Sequence, residues 1–262
     1  MGEFVTLWQK SSKTAMVQFV LLGHPRSGSN LLANTLAGHP QVRMLNEVLH
    51  RDAEVRRRSW EGINPAAWVR PRGSAYQDGE DGAAFLRDRV FGAPYVRRTR
   101  ACGFKLFYDN AYFDQSVETA WDYLASRSIR VINLHRRNLL DVVVSFAVAE
   151  RTNRWFHGAG WFQRRPEVVP AFRLEPEYCK EFFDRVTLER ARAEVFFAGH
   201  PMLRLTYEDD LVTDFKATML RVCDFLEIKR LNLKPALLKQ QQVGPETQIE
   251  NFSELREHFA NS

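Results

Sequence analysis

Apolar residues along this 262-residue chain fall into short runs separated by longer stretches of helical spacing. Val17–Leu22 is a nearly continuous apolar run closed by Gly23, the pattern of a strand buried on both faces. After a Gly/Pro/Ser turn, Leu31, Leu32, Thr35 and Leu36 recur at helical intervals until Gly38 and Pro40 end the repeat. Cys102–Tyr108 predicts another strand, Phe113–Ser126 a helix, and Arg130–Leu134 a third strand carrying Val131, Ile132 and Leu134. Helices are predicted from Leu140 to about Glu150, over Glu177–Ala198 and over Phe215–Leu226, with Met202–Leu205 as a fourth strand. Asn251 followed by Glu254 has the spacing of a capping box before a short helix. Strands separated by helices predict an α/β fold with right-handed crossovers.

Two stretches resist this reading. Residues 51–100 are rich in Arg, Gly and Pro, offer only short helical candidates such as Asp81–Arg89, and read as an insertion or surface subdomain. Residues 151–176 carry Trp155, Phe156, Trp161 and Phe162 among glycines and prolines, the composition of an aromatic loop or lid. No break in composition and no repeat divides the chain, so residues 1–262 are expected to form a single domain.

Composition narrows the class. With 45% hydrophobic and 26% charged residues the chain reads as globular, neither disordered nor fibrous. A chain of this length buries on the order of 70–75% of the surface its unfolded form exposes. Cys102, Cys179 and Cys223 lie too far apart for a disulfide framework or a zinc site, so a reducing, cytoplasmic location is expected. The polar start up to Ala15 and the strand-sized run Phe19–Leu22 predict no secretion or transmembrane segment. The net charge of +5 favours anionic ligands without choosing among them. Arg56-Arg57-Arg58 reads as a solvated face, and the scattered Arg and Phe residues do not predict nucleic-acid binding.

The candidate chemistry lies where strands feed helices. His24-Pro25-Arg26-Ser27-Gly28-Ser29-Asn30 follows the first strand and opens the first helix. Backbone N–H groups in such a turn converge on an oxyanion, helped by the field of the helix. Ser27, Ser29 and Asn30 add short donors, and Arg26 adds a fixed charge with up to five donors. These features predict a P-loop-type central parallel sheet with helices on both faces. A nucleotide triphosphatase loop would place Lys and Ser/Thr after the second glycine, whereas Ser29-Asn30 follows Gly28, so no metal is expected. The Gly-x-Gly-x-x-Gly turn of hydride-transfer dinucleotide sites is also absent.

Arg137-Asn138-Leu139-Leu140-Asp141 repeats the strand-to-helix arrangement, with Ser145 two turns beyond Arg137 and able to face the same ligand. Asn138 is placed to cap the helix and Asp141 to complete the reciprocal contact.

The two segments together resemble the sulfotransferase family, whose members use 3′-phosphoadenosine 5′-phosphosulfate. Pro25-Arg26-Ser27-Gly28-Ser29 is similar to the family's 5′-phosphosulfate loop, Pro-Lys/Arg-Ser-Gly-Ser/Thr, with Asn30 where Thr is common. Arg137 to Ser145 resembles the 3′-phosphate motif Arg-Asn-Pro-x-Asp-x-x-x-Ser, with Leu139 replacing Pro. The resemblance implies that His24 to Asn30 hold the 5′-phosphosulfate and that Arg137 and Ser145 hold the 3′-phosphate. Leu205-Thr206-Tyr207-Glu208-Asp209-Asp210-Leu211 is similar to the family's Tyr-Glu-Asp-Leu segment with one extra Asp; Tyr207 and Glu208 suit a structural hydrogen bond beneath the site, with a pocket role as the alternative. Lys239, in Leu238-Lys239-Gln240-Gln241, is a loose counterpart of the family's Arg-Lys-Gly stretch and a further candidate donor ligand.

Transfer to a hydroxyl calls for a base to take its proton and cations to steady developing charge. Asn46-Glu47-Val48 is similar to the segment in which bacterial and carbohydrate-directed members place a catalytic Glu, which makes Glu47 the preferred base. His50 is its rival, with His24 and His135 behind, and a solvated Glu47 is the alternative. Lys105 either reaches the acceptor and transferred group or is an edge-strand charge. Arg26, beside its donor role, is a candidate for stabilising the transferred group. The function expected is sulfonate transfer to a hydroxyl on a carbohydrate, glycolipid or small metabolite, releasing 3′-phosphoadenosine 5′-phosphate. A non-enzymatic nucleotide- or glycan-binding protein and an atypical P-loop nucleotide kinase are the alternatives.

Overall fold

The computed structural model describes residues 15–61, 73–93, 95, 98–109, 115–152, 170–235 and 247–260. Its strands are β1 (Val17–Gly23), β2 (Val42–Leu45), β3 (Ala101–Phe107), β4 (Arg130–His135) and β5 (Met202–Thr206). They form one parallel sheet in the order β2-β3-β1-β4-β5. The helices are α1 (Ser29–Ala37), α2 (Ala53–Glu61), α3 (Gly82–Ala84), α4 (Gln115–Ala125), α5 (Leu139–Thr152), α6 (Pro176–Phe196), α7 (Phe215–Phe225) and α8 (Phe252–Ala260).

Successive strand residues point to opposite faces, and both faces of this sheet are covered. Val20 and Leu22 of β1 join Phe104, Leu106 and Val131 in a core closed by Trp60, Phe85, Trp121 and Phe197. Phe19 and Leu21 join Met44, Ile132 and Leu205 against Leu32 and Leu36 of α1 and Met219 and Val222 of α7. Burial on both sides explains why β1 reads as an unbroken apolar run. A third cluster joins α5, α6 and α8 through Val143, Phe182 and Leu255.

Three expectations need revision. Within 51–100 the chain forms α2, and α3 runs on into π-helical turns at Phe85–Phe91, with Tyr76, Phe85, Leu86 and Val90 in the main core. Of the arginine tract, Arg57 and Arg58 are exposed on Glu54, but Arg56 is buried. Its guanidinium donates to the carbonyls of Tyr76, His50 and Arg51 and to Asp78, which satisfies a charge that burial would otherwise penalise. The capping-box spacing at Asn251 serves a tertiary contact instead. Its carboxamide accepts from the Leu174 N–H at 3.1 Å and donates to the Leu174 carbonyl at 2.8 Å, while Glu254 pairs with Arg173.

Register sets the site. Gly23 lies level with Phe107 on one side and Leu134 on the other. The segments leaving β1, β3 and β4 therefore emerge at one edge, where the chain order reverses about β1, the place in an open parallel sheet where ligands bind. No described helix is long and apolar enough to cross a membrane.

Candidate active site

The turn after β1 is coiled by two left-handed residues, Arg26 at φ 70° and Gly28 at φ 94°. Gly28 has no substitute there, because a Cβ would stand 2.5 Å from Tyr207 Cδ2. Arg26 holds the same region at a cost of order 1 kcal/mol, strain of the kind that clusters at ligand clamps. The coil turns Ser27 inward, its N–H donating to the His24 carbonyl at 3.2 Å. Ser27 is 1% exposed and its Oγ has no hydrogen-bond partner among the described residues. A buried hydroxyl with no partner among the described residues, beside a helix N-terminus, suits contact with an oxyanion. Ser29 is buried at the first position of α1. His24 is fixed through Nδ1 on the Pro25 carbonyl at 2.7 Å and stands edge-on to Phe182, and burial pushes its pKa down to about 4.

The two motifs meet at one bond: Arg26 Nε donates to Ser145 Oγ at 2.8 Å. Burial, and then the charge of Arg136, lowers the pKa of Arg26. Arg137 points elsewhere, its two terminal nitrogens donating to the Asp209 carboxylate at 2.6 and 2.7 Å. The entrance of α5 is held by Glu208, which accepts from the N–H groups of Arg137 and Asn138 at 3.1 Å each. Burial works against the Glu208 carboxylate, yet those amides keep its pKa below the usual range. Asn138 accepts from the Asp141 N–H at 3.0 Å as a cap does, but the Asp141 carboxylate pairs with Arg136 and so does not return the contact.

A second cluster lies at β3. Lys105 Nζ sits 2.7 Å from Glu47 Oε1 and 2.6 Å from Asn30 Oδ1. β3 runs between β1 and β2 and the Lys105 side chain is fully buried, so it is not an edge-strand charge. Glu47 is buried as well, its N–H donating to Ser59 Oγ at 3.1 Å, which removes the solvated alternative. A buried ion pair persists only when both partners and their remaining hydrogen bonds are in place, and Asn30 supplies one of those. His50 Nε2 stands 4.0 Å from Glu47 Oε2, with burial lowering its pKa. Burial raises the pKa of nearby Asp109.

A cavity of about 260 Å³ lies between the first turn, the end of β4 and α6. Its walls include Ser27 from the first turn, Tyr108 beyond β3, His135 at the end of β4 with Arg136 and Arg137 after it, and Arg190 of α6. Sequence reasoning placed His24, Ser27 and Arg137 here and gave His135 a lesser part. It missed Arg190 and Tyr108, which carry no motif. Lys239 and the aromatic residues Trp155, Phe156, Trp161 and Phe162 lie outside the described residues. Among the described residues there is no group of three or more His, Cys, Asp or Glu able to hold a metal ion.

The profile of the sulfotransferase family matches residues 18–231. Nodulation protein H of Rhizobium meliloti (strain 1021) is 27% identical over 252 residues, covering 93% of this chain and 91% of that protein. Nodulation protein H of Rhizobium tropici is 26% identical, with 92% and 89% covered. Among solved structures, a sulfotransferase from Alicyclobacillus acidocaldarius aligns over 95% of this chain and 91% of its own, at 15% identity and a TM-score of 0.49.

Proposed function

The chain belongs to the sulfotransferase family and transfers a sulfonate from 3′-phosphoadenosine 5′-phosphosulfate to an acceptor hydroxyl, and from that premise we propose how its residues share the work. The turn from His24 to Asn30 is a P-loop-type cradle for the 5′-phosphosulfate, held by its amides, Arg26, Ser27 and Ser29. Arg137 and Ser145 take the 3′-phosphate. Supporting this reading is the contact between Arg26 and Ser145, which brings residues of both motifs within one hydrogen bond. The unpartnered Ser27 hydroxyl and the Gly28 position, closed to any side chain, fit an oxyanion in the turn.

The donor, when bound, supplies an electrophilic sulfur whose bond to the phosphate oxygen breaks as the acceptor oxygen bonds to it. Glu47 takes the acceptor's proton on its carboxylate. Lys105 keeps Glu47 in place and presents a buried ammonium to negative charge developing nearby, while Arg26 neutralises charge at the transferred group. His50 is the second candidate base, since its ring lies next to Glu47. Lys239 remains a candidate ligand of the donor.

The acceptor class we favour is a carbohydrate, glycolipid or related small metabolite, because Asn46-Glu47-Val48 resembles the carbohydrate-directed branch. We read residues 1–262 as one cytoplasmic domain without a nucleic-acid partner or a metal requirement. The deciding experiment is transfer from radiolabelled donor to a panel of sugars, glycolipids, phenols and alcohols, with native protein and Glu47→Gln side by side. Glu47→Gln is expected to lower turnover roughly 10²–10⁴-fold, the range for a lost general base, while 3′-phosphoadenosine 5′-phosphate still binds. Normal turnover in that variant, with loss in His50→Ala, moves the base to His50.

A further inference from the structure

Three guanidinium groups line the cavity between the two motifs, those of Arg136, Arg137 and Arg190. Two of them already face carboxylates closely. Arg137 is held on both of its terminal nitrogens by Asp209, and Arg136 donates to Asp141 with Glu208 at 3.8 Å from its Nε. Arg190, on α6, has one carboxylate contact among the described residues, Nε to Glu194 Oε1 at a long 3.4 Å. That oxygen also accepts from Asn133 Nδ2 at 3.1 Å, and the other oxygen of Glu194 lies 3.9 Å from Arg204. Neither Tyr108 nor His135 on the wall is hydrogen-bonded to Arg190 among the described residues: the Tyr108 hydroxyl donates to Asn133 Oδ1, and His135 Nε2 lies 3.3 Å from Thr206 Oγ1.

An anion entering this cavity therefore meets two arginines whose charge is matched by adjacent carboxylates and a third whose charge is shared thinly. A guanidinium fork free to turn onto a phosphate or sulfonate makes charge-assisted, two-pronged hydrogen bonds. We propose that Arg190 is a ligand of the donor nucleotide, reaching its anionic groups from α6 in the cavity that Ser27 and Arg137 also line. The assignment rests on the donor site described above. It gives α6 a binding role that no motif marks, and it supplies a cation from within the described fold.

The test is calorimetric binding of 3′-phosphoadenosine 5′-phosphate to native protein, Arg190→Ala, Arg190→Lys and Arg137→Ala, with acceptor KM measured at saturating donor. Ala and Lys are both strong helix formers, so α6 is retained, and equal circular-dichroism melting curves check this. Arg190→Ala is expected to weaken product binding at least about tenfold, the loss of one charged hydrogen-bonding group, with Lys recovering part of it and acceptor KM unchanged. Product affinity within twofold of native in Arg190→Ala, alongside a weakened Arg137→Ala, overturns the role of Arg190 and leaves the donor site standing. A raised acceptor KM with unchanged product affinity overturns it too, by placing Arg190 on the acceptor side. Failure of the native protein to bind the product sinks the donor site and this inference together.

Discussion

His24 is a titratable ring kept from titrating. Packed against Phe146 and Phe182 and tied to the Pro25 carbonyl, it has its pKa pushed down to about 4, chiefly by burial. In the unfolded chain the ring returns to about 6.5. Between those values the unfolded state takes up a proton that the folded state refuses. The stabilising contribution is thus complete above pH 6.5, declines as pH falls toward 4, and amounts to ~3 kcal/mol at most. His24→Gln removes the titration, so urea unfolding of the variant should lose less stability between pH 7 and pH 4.5 than native protein does. Equal losses in the two proteins would show that His24 titrates normally.

At the scale of elements, the turn between β1 and α1 depends on Gly28. Ala there meets both a positive φ and the Tyr207 ring, so Gly28→Ala should destabilise the fold by about 1–3 kcal/mol and weaken capture of 3′-phosphoadenosine 5′-phosphate more than Ser29→Ala does. Thermal melts and calorimetry check both. This turn was legible because a buried strand, a Gly/Ser loop and a helix leave a strong local pattern. β2 was not legible, since its four residues include Arg43, a charge that interrupts the apolar run although it is buried. α2 escaped for a related reason: three consecutive arginines hide the one, Arg56, whose partners are three carbonyls and Asp78, brought together by folding. Asn251 misled in the opposite direction, since its spacing suits a local cap but its carboxamide serves Leu174.

Across the whole molecule, the alternation of strands and helices, β2 and α2 apart, and the two strand-to-helix entrances could be read from the chain. What surrounds those entrances could not. Glu208 and Asp209 reach Arg137 from about 70 residues further along, and Arg190 comes from a helix chosen only for its periodicity. Such contacts are made by topology and leave no spacing to detect. A donor touching both entrances ties α1 and α5 together across the adjacent strands β1 and β4. At 100 times its Kd, 3′-phosphoadenosine 5′-phosphate should stabilise the fold by about 2.7 kcal/mol, read as a rise in Tm. Adenosine at the same concentration should leave Tm unchanged, and an equal rise with adenosine would argue against phosphate capture.

Lys105 gives this architecture a mechanical side. One ammonium grips an amide oxygen on α1 and a carboxylate on the segment after β2, so the helix that begins at the Gly28 turn and the Glu47 carboxylate cannot drift independently. Pulling α1 away from the sheet would take the Asn30 contact from a buried positive charge, so one ammonium acts as the rivet between the start of α1 and the Glu47 carboxylate.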